Sequence, residues 1–146
     1  MKNANYHREI RDGGSYHIED WRIEINDEDV MTIHRDMDSS GFDYTEKREV
    51  TVPLRLMNPK RVSSRGVPAE KSPYFSIRLI ATEDKRVVKY TWTQTHRVTN
   101  AISTSTNNIE DAYFEITCDE NLVKRLQNAS VTLITLAGGT SGAFED

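Results

Sequence analysis

Two stretches of this chain put a cation and a hydroxyl on one side of an extended backbone. Thr51 and Arg55 lie in Glu49–Leu56, and Ser76 and Arg78 lie in Tyr74–Leu79. Successive side chains of a strand point to opposite faces, so Val50, Val52, Leu54 and Leu56 occupy the other side of the first, and Phe75, Ile77 and Leu79 that of the second. Guanidiniums and hydroxyls on an open face suit a polar or anionic partner. A third stretch, Arg86–Thr95, alternates in the same way, with Lys89, Thr91 and Thr93 opposite Val88, Tyr90 and Trp92.

Two other constellations carry residue types that could do chemistry. Asp36, Asp38, Ser40, Asp43 and Glu46 surround Gly41 with alternating oxygen ligands, the pattern that wraps calcium. The closing Glu falls one position short of the helix-flanked calcium loop, and strands flank it, so the segment reads as an acidic turn and no metal is expected. His7, His17, His34 and His96 show no ligand spacing. The unit His96-Arg97-Val98-Thr99 has one copy where a two-histidine acid–base pair needs two. With no phosphate-cradling glycine loop and no nucleophile elbow, neither an enzyme nor a cofactor is expected. The single Cys118 excludes an internal disulfide. Asn128-Ala129-Ser130 matches a glycosylation acceptor, which carries no weight without a secretory signal.

At 146 residues one domain is expected, and 36% hydrophobic residues with a mean hydropathy of -0.66 leave room for burial between chains. Trp21, Ile23 and Ile25, the turn Asn26–Asp29 and Val30–Ile33 give a hairpin over about 16–35. A sheet over about 47–97 follows, with strands near 47–57, 74–82 and 86–95 joined as a meander. The loop 58–73 holds three of the four prolines. Thr99–Asn108 is Ser/Thr/Asn-rich and reads as a loop. Ile109, Ala112, Tyr113, Ile116, Val123 and Leu126 recur at helical spacing, giving a helix over about 108–127. The competing reading is a strand over Tyr113–Cys118, followed by a short helix capped by Asp119. Ser130–Ala137 reads as extended and 138–146 as a tail.

Charge is uneven. Residues 17–49 hold eleven Asp/Glu against four Lys/Arg, and residues 58–97 hold nine Lys/Arg against three Asp/Glu, within a net charge of -4. Such a split makes copies attract one another or turns a basic face to a polyanion. No apolar run approaches the roughly 20 residues of a membrane span, and Met1–Tyr6 lacks a signal-peptide core, so synthesis in the cytoplasm without membrane contact is expected.

A meander closed by a late helix, with Val50-Thr51-x-x-Leu54-Arg55 on one strand and Phe75-Ser76-Ile77-Arg78 on the next, resembles the coat proteins of single-stranded RNA bacteriophages over roughly residues 28–128. The resemblance implies an α+β fold with about six antiparallel strands, an intertwined dimer whose helices cross onto the partner's sheet, and an icosahedral shell assembled in the bacterial host. It also implies that the inward sheet face binds genomic single-stranded RNA. Carried onto this sequence, the RNA-binding residues are Thr51, Arg55, Ser76, Arg78, Lys89 and Thr91. Lysine and arginine neutralise phosphates, and hydroxyls reach sugar or base edges. Tyr74, Phe75, Tyr90 and Trp92 alternate with polar residues, so core packing is expected of them rather than base stacking. The chain departs from the family pattern at Pro53, in the length of 58–73 and in its first 16 residues. A further expectation, outside that family, is a tube or ring subunit of a tailed phage, in which acidic and basic regions meet head to tail.

Overall fold

Gly13 and Gly14 both take positive φ (55° and 90°), the two-residue turn whose twist matches a hairpin, and they fold β1 (Asn3–Asp12) back onto β2 (Ser15–Ile25). At the next turn the Asn26 side chain accepts the backbone N–H groups of Glu28 and Val30, and Asp29 takes the left-handed conformation. The chain then returns as β3 (Val30–Ser39) and β4 (Tyr44–Pro53). The computed structural model describes residues 3–67, 74–116 and 120–142.

β4 ends where Pro53 removes a ladder donor. Two short 3-10 turns, Leu54–Leu56 and Pro59–Arg61, lead the chain off the sheet, burying Leu54 and Met57. β5 (Ser63–Val67) and β6 (Tyr74–Ile80) form a hairpin away from β4. The chain comes back as β7 (Val88–His96), which pairs with β4, and β8 (Ile102–Ile109), which pairs with β7. β9 (Asp111–Ile116) then joins β6, and α1 (Glu120–Leu136) closes the chain. The result is α+β: a six-stranded antiparallel sheet in the order β1-β2-β3-β4-β7-β8, a three-stranded sheet β5-β6-β9, and one helix. Core residues come from both sheets and the helix, among them Ile33, Val52, Leu79, Val88, Phe114 and Ile134.

Several sequence expectations are corrected. The strands carrying Thr51 and Ser76 are not neighbours: β4 lies between β3 and β7, and β6 belongs to the second sheet. The helix over 108–127 is displaced to 120–136, and 111–116 is a strand, as the competing reading has it. Ala112 and Phe114 enter the core in alternation, which outweighs the coincident helical spacing. The loop 99–108 contains β8, because Ser and Thr pair well across strands even without apolar alternation. The extended stretch 130–137 is helical, and its Ser130, Thr132 and Thr135 hydroxyls each bond the carbonyl four residues back. Loop 58–73 holds the second 3-10 turn and β5, and the first 16 residues supply β1. Cys118, the Asp119 cap, residues 68–73 and the tail residues 143–146 lie outside the described residues.

Gly138 ends α1 in the left-handed conformation (φ 95°), and Gly139 donates its N–H to the Ile134 carbonyl. A Cβ on Gly139 would stand 2.5 Å from the Met57 carbonyl, so the helix end seats directly on the turn that follows β4.

Candidate functional site

The six residues expected to bind RNA separate into three places. Thr51, Lys89 and Thr91 lie together on the outer face of the six-stranded sheet, where Thr51 pairs with Lys89 and Glu49 with Thr91. Arg55 leaves that face for the exposed side of the first 3-10 turn. Ser76 and Arg78 are on β6, and Arg78 Nε donates to Asp111 Oδ2 at 2.6 Å. The outer face also carries Asp20, Glu24, Asp36 and Glu49 beside Arg22, Lys47 and Lys89, so it is not a basic surface. His7 joins it through a 2.5 Å bond to Asp20.

The oxygens considered for calcium do not converge. Asp38 accepts from Arg97 Nη2 at 2.5 Å and from the Tyr16 hydroxyl at 3.2 Å, while Ser40 Oγ accepts the Tyr16 N–H. Asp36 stands opposite Asp20 and Lys47, and Glu46 turns to the other face of the sheet. No group of three or more metal-ligating side chains occurs among the described residues.

That other face holds a buried ion cluster that sequence reasoning missed. Arg8, Glu19, Arg35 and Glu46 are 8%, 2%, 9% and 4% exposed. Glu19 is the hub: its carboxylate accepts from Arg35 Nη2 at 2.8 Å, bonds His17 Nε2 at 2.7 Å and accepts Trp21 Nε1 at 3.0 Å, with Arg8 Nη1 3.7 Å away. Glu46 accepts Arg48 Nε at 2.5 Å, and Arg48 Nη1 donates to the Tyr113 hydroxyl at 2.9 Å. Arg8 Nη1 also lies 3.7 Å from Glu115. Three guanidiniums and three carboxylates thus tie β1, β2, β3 and β4 to β9.

The two flanking carboxyls respond in opposite ways. Burial pushes the Glu19 carboxyl up, but Arg35 and the bonds from His17 and Trp21 outweigh it and hold the group below the ordinary range. Burial also raises Glu115, and the Glu19 charge raises it further against the pull of Arg35 and Arg8. The signal for this cluster was in the alternation: Glu19 falls on the parity of Trp21 and Ile23, Arg35 on that of Met31 and Ile33, and Glu46 and Arg48 on that of Val50 and Val52.

The far edge of the large sheet has a different character. β8 contains no Asp, Glu, Lys, Arg or Pro, its side chains are exposed from Ile102 to Asn108, and Ile102 is 69% exposed. Threonine hydroxyls pair across its inner neighbour: Thr91 with Thr106 at 3.4 Å and Thr93 with Thr104 at 3.3 Å. Compared with family models, curated proteins and solved structures, the chain matches none of them.

Proposed function

We propose that this protein is a structural subunit without enzymatic activity that assembles with copies of itself, as the coat-protein resemblance implies. The observation that carries the reading is the β8 edge. An exposed, uncharged strand presents a row of main-chain donors and acceptors, and chains that remain monomeric blunt such an edge with lysine, proline or a bulge. β8 carries neither lysine nor proline.

A second copy is the occupant its chemistry fits. A two-fold axis through Ser105, perpendicular to the sheet, keeps each face on its own side and sets Thr104 of each copy opposite Thr106 of the other and Ser103 opposite Asn107. The pairs nearest the axis are small or hydroxyl-bearing, Ile102 meets Asn108 farther out, and none places like charges together. The joined sheet then has β1 strands with charged second halves at both outer ends, which limits further edge-to-edge growth and leaves shell contacts to turns such as the one between β3 and β4. Contact with single-stranded RNA is a second reading of the outer face, supported by the adjacency of Thr51, Lys89 and Thr91.

Light scattering coupled to size-exclusion chromatography and negative-stain electron microscopy of the purified protein test both. Dimers and closed particles are the expected result, and particles absorbing at 260 nm after nuclease treatment support enclosed RNA. A stable monomer that never forms particles refutes the assembly reading, and protein-only particles refute the RNA reading. Rings or tubes favour the tailed-phage alternative.

A further inference from the structure

α1 carries two apolar lines. Val123, Ser130 and Ile134 are buried against the core of their own chain. Beside them run Leu122, Leu126, Ala129, Leu133 and Leu136, at intervals of four, three, four and three residues. That is the seven-residue repeat of a seam between two helices, narrower than the stripe that seats a helix on a core. The chain itself uses this second line only in part. Leu122 is 38% exposed, Leu136 is 79% exposed and Ala129 is exposed, while Leu126 and Leu133 are half-buried. An open groove continues the line onto the sheet, where Tyr6, Ile23 and Ile25 are half-buried as well. Contiguous apolar surface of this kind marks a place of interaction.

The line reads nearly the same in both directions. A two-fold axis through Ala129 sets Leu122 of one copy against Leu136 of the other and Leu126 beside Leu133, with a small side chain at the crossing. Charge selects this antiparallel arrangement. Glu120, Lys124 and Arg125 are the charged residues of α1, and residues 126–136 carry none. A parallel pair gathers the lysines and arginines of both copies, whereas an antiparallel pair lays them along the other copy's uncharged half, toward its electronegative C-terminal end. We infer that α1 is a second assembly surface, on which another copy of this chain docks its own α1 antiparallel across this line. The inference rests on the self-assembly reading and extends it: the β8 edge joins two chains, and α1 joins those pairs to one another. A two-fold contact alone stops at two copies, so a larger particle needs a contact of another kind. One helix on another is a small interface, which suits a step taken by preformed pairs.

Sedimentation velocity of the full chain over a concentration series tests this. Dimers that proceed to tetramers and larger species are expected. Ala129→Glu faces two carboxylates across the axis and is expected to raise the dissociation constant of the dimer-to-tetramer step at least about tenfold. Ala129 is exposed, so the fold should survive, as an unchanged circular dichroism spectrum would show. Thr132 and Arg125 lie one heptad apart on the same flank of the line, so Thr132→Glu sets a carboxylate opposite Arg125 of the other copy. It is expected to tighten that step about threefold. Growth beyond the dimer that ignores Ala129→Glu overturns the inference, and weakening by Thr132→Glu overturns the antiparallel arrangement. Dimers that never proceed further overturn the α1 contact and leave the β8 edge standing. A chain monomeric at every concentration refutes self-assembly altogether. Dimers lost in Ala129→Glu but kept when Thr104 and Thr106 are both replaced by lysine support the α1 contact and refute the β8 edge.

Discussion

The two edges of the large sheet are built on opposite principles. β1 carries Arg8, Glu9, Arg11 and Asp12 in its second half, and one of those charges, Arg8, turns inward to the carboxylates of Glu19 and Glu115. β8 has no charge and is held by its ladder to β7 and by the Thr91–Thr106 and Thr93–Thr104 hydroxyl pairs. The first edge is committed to the stability of its own chain. The second contributes little to the core and is open to pairing. The proposed pairing with a second copy uses the uncharged edge and leaves the charged one outside the seam.

The sharpest way to break this contrast is at Glu19. Glu19→Ala leaves Arg35 buried without its carboxylate and frees the Trp21 N–H, and a loss of about 3–5 kcal/mol is expected in denaturant unfolding. A loss below about 1 kcal/mol would show that the β1 side is not the stabilising edge. Next in size is the converse test on β8. Thr104→Lys combined with Thr106→Lys gathers four like charges at the proposed seam and is expected to raise the dimer dissociation constant at least tenfold, as read by analytical ultracentrifugation. Loss of the two hydroxyl pairs should cost the single chain no more than about 2 kcal/mol, and Thr104→Ser combined with Thr106→Ser, which adds no charge, should leave dimerisation intact. Asn5→Lys on β1 serves as the control and should leave assembly intact.

A smaller effect separates the two carboxyls of the cluster. Glu115 has a raised folded pKa, so the folded state binds the extra proton between the unfolded and folded values, and stability falls as pH rises through that window. Glu19 acts in reverse: its contribution is present above the unfolded value and is lost as pH falls through the depressed folded one. Glu115→Gln should remove the first slope from a series of unfolding curves and keep the second. The smallest expected signal is at the surface of β1. The bond to Asp20, with help from Glu9, raises His7, so its imidazole should titrate above the ordinary value by NMR, and Asp20→Asn should bring it back down. Any stabilisation from that pair is present below the unfolded value and lost as pH rises through the folded one.

Alternation in the sequence was enough for β2, β3, β4, β6 and β7, because each carries apolar residues on one parity that enter the core. It could not assign partners. The alternation of Val50, Val52, Leu54 and Leu56 carried the expected strand to 57, but β4 ends at Pro53, where the chain leaves the sheet with Leu54 and Met57 buried and returns only at Val88. β1 was missed by the sequence reading, which began the hairpin at about 16, although Gly13-Gly14 is a two-glycine hairpin signal. β8 was missed as well, since an edge strand exposed on both sides has no burial pattern to read. Three of the six expected contact residues come together because β4 and β7 are neighbours. Arg55, Ser76 and Arg78 part from them at the same proline-led exit from the sheet.

The 3.7 Å ion pair between Arg8 and Glu115 links the first strand of the large sheet to β9, far along the chain. A ribosome delivers the guanidinium first and the carboxylate long after. Until the last strand emerges, the nascent hairpin β1–β2 must hold Arg8 against Glu19 alone, with water reaching the side that Glu115 later covers. Completion of the buried cluster is therefore a late event in folding, and a chain cut short before β9 would display its unfinished interior to quality-control proteases.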